Sequence, residues 1–115
     1  MTNLEITSES RKGAWVLHLK GILDAYNHLL FRQSVDEHVK KGHNKLVIDF
    51  TELSYLGSSG LEVILAHVQK VRDSGGDILL CGLSPKIYKV FDLLGLPSFF
   101  TITGTVDEAL AAFHG

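Results

Sequence analysis

Apolar residues reach the core in short runs whose period changes along the chain. Leu4 to Ile6 and Ala14 to Leu19 are separated by Arg11-Lys12-Gly13. A polar triplet ending in Gly suits a tight reversal, so the spacing predicts two antiparallel strands. Lys45 to Phe50 and Asp77 to Cys81 are continuous apolar runs. Such runs mark strands covered on both faces, as in a parallel sheet. Phe99 to Ile102 predicts a weaker fifth strand.

Between the strands the period lengthens to that of a helix. Leu61, Ile64, Leu65, Val68 and Val71 form one apolar stripe, which Ser74-Gly75-Gly76 stops. Ile87, Val90, Phe91 and Leu94 repeat the spacing after Ser84-Pro85, a cap followed by the residue best suited to a first helical position. Val106, Ala109, Leu110 and Phe113 repeat it again, with Thr105 and Glu108 spaced as a capping box. From Asp24 to Lys41 the apolar residues Leu29, Leu30, Phe31, Val35 and Val39 cover a broader face. A helix capped by Asp24 and stopped by Gly42 is expected there. Strands alternating with helices predict a single α/β domain over residues 1–115. Its architecture is a mostly parallel five-stranded sheet with one antiparallel edge strand, right-handed crossovers and four helices.

Composition narrows the function. The 115 residues are 45% hydrophobic, ample for one core. Eleven Lys and Arg against thirteen Asp and Glu give a net charge of -2. No electrostatic excess draws such a chain to nucleic acid. No segment nears the ~20 apolar residues of a membrane span, and Met1 to Glu5 has no signal-peptide character. A cytoplasmic protein without direct membrane insertion is expected. Cys81 is alone and lies in an apolar run, so it reads as a buried small hydrophobe. His18, His28, His38, His43, His67 and His114 lack metal-ligand spacing. Lys40 to Lys45 reads as a solvated helix end.

One segment stands apart, Asp49 to Leu61, joining a buried strand to the best helix. Ser59 and Glu62 are spaced as a capping box, which puts Ser58 at or just before the cap. Free amides and the positive end of the helix dipole meet there. A phosphate added to Ser58 would enter a place already suited to an anion, leaving the fold intact while repelling an apolar or acidic partner. The residues also allow a plainer reading, in which both serines merely cap the helix. Gly57-Ser58-Ser59-Gly60 lacks the Gly-x-Ser-x-Gly elbow of hydrolases, and no Lys follows Gly60 as in a P-loop. No catalytic residue, metal or cofactor is expected.

Several stretches resemble the STAS family, the domain of bacterial anti-sigma factor antagonists. They are Asp49-Phe50-Thr51, Leu53, Tyr55-Leu56 and Ser58-Ser59-Gly60-Leu61, with Gly21-Ile22-Leu23-Asp24, Leu94-Gly95-Leu96 and Thr105 to Leu110. The resemblance implies a switch. The unphosphorylated protein would bind an anti-sigma factor, often a serine kinase of the histidine-kinase-like ATPase type, and so release a sigma factor. Phosphorylation of Ser58 would end that binding, and a serine phosphatase would restore it. By position, Asp24, Gly57, Ser58, Ser59 and Gly60 would form the partner-binding surface, with Tyr55 and Leu56 either helping to build it or, the favoured role, anchoring the loop in the core. Where the family usually has Asp before the modified serine, this chain has Gly57. The alternatives are a constitutive accessory subunit of a transport or other signalling complex, and a ligand-binding domain using the same helix start.

Overall fold

The computed structural model describes residues 3–114, so Met1, Thr2 and Gly115 of the expected domain lie outside the described residues. Strands β1 (Leu4–Arg11) and β2 (Ala14–Leu23) form the antiparallel hairpin, in register from Leu4 against Gly21 to Arg11 against Ala14. Lys12 and Gly13 turn it with φ of 51° and 80°. Two left-handed residues in succession match the twist of the flanking strands. Helix α1 (His28–Lys40), strand β3 (Lys45–Leu56), helix α2 (Ser58–Asp73), strand β4 (Asp77–Cys81), helix α3 (Pro85–Leu93), strand β5 (Ile102–Thr103) and helix α4 (Val106–His114) follow.

The five strands lie in chain order across one sheet, and every pair after the first is parallel. Right-handed crossovers stepping steadily in one direction place their helices on one face. Accordingly Phe31 and Val35 of α1, Ile64 and Val68 of α2, and Ile87 and Phe91 of α3 pack in a single core against Leu17, Leu19, Ile48, Phe50, Ile78 and Leu80. The other face belongs to α4, whose Ala109 and Leu110 cover Ala14, Val16, Val47, Leu79 and Cys81.

Three elements differ from the sequence expectation. Strand β3 does not end at Phe50 but continues to Leu56, with Leu53 and Leu56 returning to the core between exposed residues. Its pairing with β2 shifts register between His18 and Lys20 and again between Gly21 and Ile22. Such irregularities re-aim the end of a strand. The fifth strand is Ile102–Thr103, not Phe99 to Ile102. Gly95, at φ 70°, leads instead into a 3₁₀ turn at Leu96–Ser98, and Phe100 drops into the core edge-on to Phe91. Finally, the N-cap position of α1 is Asn27 and not Asp24, and no side chain caps that helix.

Candidate functional site

The loops leaving β2 and β3 lie side by side, joined where the Gly57 amide donates to the Leu23 carbonyl at 2.8 Å. Asp24 follows Leu23 and is half-buried. Its carboxylate accepts from the Tyr26 amide at 2.9 Å, and its own amide donates to Asn27 Oδ1 at 2.9 Å. Asn27 also donates to the Ile22 carbonyl at 2.8 Å. This buried amide ties the loop to the end of β2, and sequence reasoning missed it. Its one signal was an Asn three residues after an Asp at a strand end. Asp24 therefore heads a tight turn, its ordinary role when the side chain meets the backbone two residues on.

The expected capping box at Ser59 and Glu62 is absent. Helix α2 begins at Ser58, and its N-cap is Gly57, in extended backbone at φ -84° and ψ 167°. The Gly57 carbonyl accepts the first helical bonds, from Gly60 at 3.1 Å and Leu61 at 3.3 Å. With a side-chain-free residue at the cap, no side chain caps the helix, and its first turn holds no acidic residue. The first amides of a helix lack intrahelical partners and carry the positive end of its dipole. Ser58 is exposed and Ser59 half-buried. Among the described residues, neither hydroxyl makes a hydrogen bond to the protein.

Gly60 has a different place. It is buried, and a Cβ there would lie 1.6 Å from Leu23 Cδ2 and 2.8 Å from Leu56 Cδ1. Its lack of a side chain seats the helix start on the ends of β2 and β3, so it offers a partner no surface. A Cβ on Gly57, by contrast, would meet only ordinary contacts: Tyr55 at 3.4 Å, the Leu23 carbonyl at 3.5 Å and the Asp24 Cα at 3.6 Å. Leu56 is buried as expected of an anchor, whereas Tyr55 is 49% exposed, closer to the surface role than to the anchoring one. Beside Asp24 an open groove of about 560 Å³ is lined by Tyr26, Asn27, Leu29, Leu30 and Gln33. Tyr26 is 98% exposed. Leu29 and Leu30, on the same groove, are also exposed.

Beneath β3 a second polar group sits on the α4 side of the sheet. Asp49 is buried, and its Oδ1 accepts from the Thr51 amide at 3.0 Å and the Thr51 hydroxyl at 2.5 Å, while Oδ2 meets His18 Nδ1 at 2.7 Å. Burial favours the neutral acid, but the Thr51 bonds and His18 outweigh it and hold the Asp49 pKa below the usual value. Burial together with the Asp49 charge pushes the Cys81 thiol up to about 12, so the buried Cys81 stays protonated. No cluster of metal-ligating side chains occurs among the described residues, and no described helix is long and apolar enough to cross a membrane.

The family model for the STAS domain matches residues 5–109. An anti-sigma F factor antagonist of Paenibacillus polymyxa is 30% identical over 109 residues, covering 94% of this chain and 93% of that protein. An anti-sigma-B factor antagonist of Listeria monocytogenes is 28% identical over 92 residues, 80% of this chain and 81% of that one. Among solved structures, an anti-sigma factor antagonist from Mycobacterium paratuberculosis shares 26% identity at a TM-score of 0.90, covering 97% of this chain and 95% of that one.

Proposed function

The chain belongs to the STAS domain family, and from that membership we propose that it is a cytoplasmic anti-sigma factor antagonist, a binding protein without catalysis of its own. Its partner is an anti-sigma factor that is also a serine kinase of the histidine-kinase-like ATPase type. The docking surface comprises Asp24, Gly57, Ser58 and Ser59 with the neighbouring Tyr26, and Gly60 supports it from below. One observation carries the reading: the exposed Ser58 hydroxyl is idle at an acid-free helix start capped only by glycine.

A phosphate on Ser58 brings about -1.5 to -2 charge and acceptor oxygens to amides that lack partners. The fold therefore accommodates it, while a partner's apolar or acidic surface does not. Removal by a serine phosphatase resets the protein.

The test is incubation with ATP and the candidate kinase, followed by digestion and mass mapping. One phosphate on the peptide holding Ser58 is expected. Phosphate elsewhere, or none, overturns the switch. Binding supplies the second measurement: Ser58→Ala keeps affinity for the kinase, and Ser58→Asp loses about tenfold or more, ~1.4 kcal/mol. Gly57, which leaves out the family's usual carboxylate, favours one other reading, a constitutive subunit of a transport or signalling complex. Equal affinity of wild type and both variants would establish that reading instead.

A further inference from the structure

We propose that His18 is a proton-dependent clasp: as an imidazolium held between Glu9 and Asp49 it ties the edge strand β1 to the interior of the sheet, and losing the proton frees the Glu9 end of that strand. His18 Nδ1 lies 2.7 Å from Asp49 Oδ2, and its Nε2 lies 2.6 Å from Glu9 Oε2. An ionised carboxylate only accepts, and a neutral imidazole has one N–H to give. Both contacts together need a ring that donates from both nitrogens.

The surrounding groups decide which contact yields. Asp49 on β3 is buried and keeps its Thr51 bonds, with the Cys81 thiol of β4 donating to it at 3.8 Å. Glu9 on β1 is exposed, and its other charged neighbour is Arg11 Nε at 3.8 Å. Arg11 is itself engaged by Asp107 of α4 at 2.7 Å. Two residues along β2 from His18, Lys20 pairs with Glu52 of β3 at 3.9 Å. A neutral His18 therefore keeps the buried acid and releases Glu9. β1 has a neighbouring strand on one side only, so its outer half, Ser8 to Arg11, has no other strand to hold it.

Burial disfavours the charged ring, but the bonds to Asp49 and Glu9 and their negative charge outweigh it, and the imidazole pKa is raised above its ordinary value of 6.5. A raised folded-state value means that the clasp acts fully below the unfolded pKa and is lost as pH rises through the folded one.

Nitrogen NMR of the His18 ring between about pH 5 and about pH 9, with hydrogen exchange of the Ser8 to Arg11 amides corrected for intrinsic rate, tests this. Two ring N–H groups at low pH and a midpoint above 6.5 are expected. Protection of those of the four amides that bond to β2 should fall about two- to fivefold through the same midpoint, the scale of an ion pair at the surface. Glu9→Gln, at an exposed site, should lower the midpoint and flatten the exchange response, and His18→Gln should abolish that response. A single ring N–H at low pH, a midpoint at or below 6.5, or an unchanged amide response in Glu9→Gln would overturn the clasp.

Discussion

Three helices of this domain begin near a serine or threonine, and they use the hydroxyl differently. At α3, Ser84 accepts from the Ile87 amide at 3.2 Å, ahead of Pro85. At α4, Thr105 accepts from the Glu108 amide at 3.2 Å and donates to the Glu108 carboxylate at 3.1 Å, with Asp107 and Glu108 meeting the dipole. At α2 a glycine takes the cap, no acid stands in the first turn, and two serines have no structural duty. A glycine cap is only a few tenths of a kcal/mol poorer than serine. The domain thus leaves an exposed, unbonded hydroxyl at the start of α2 at little cost to stability.

Urea unfolding can break or sharpen that contrast. Gly60→Ala should have the largest effect, a loss of about 2 kcal/mol, because the added carbon drives into Leu23. The ~1 kcal/mol helix preference of Ala over Gly is too small to offset this. A neutral result would mean the start of α2 is not seated as described. Ser84→Ala should lose about 1 kcal/mol through the vacated cap while leaving partner affinity unchanged. Gly57→Asp should gain about 0.5 kcal/mol, since the site has room for the side chain and lacks a charge to meet the dipole. Ser58→Ala should change stability by less than about 0.5 kcal/mol. Equal costs for Ser84→Ala and Ser58→Ala would end the comparison.

The sheet was legible because continuous apolar runs and a Gly-ended turn are local signals, whereas Ser58 was reached through the spacing of Ser59 and Glu62, and Asp24 as a site residue only through the family resemblance. Other features depended on partners far along the chain. The far half of β3 was hidden because Thr51 and Glu52 break the apolar run before Leu53 and Leu56 resume it. The box at Ser59 and Glu62 failed because the extended Gly57 starts the helix at Ser58, two residues before the spacing suggests. Gly60 was taken for surface because Leu23, which fills its missing side chain, is remote in sequence. Nothing local connects Glu9, His18 and Asp49; strand register alone unites them.

The leucine wedged under Gly60 has one more consequence. A ledge with no slack beneath it cannot recoil, so crystals of the modified and unmodified protein should superpose in backbone across residues 56 to 62. The message would then travel as a change of surface potential and not as a change of form, readable by any molecule that tests the ledge from outside.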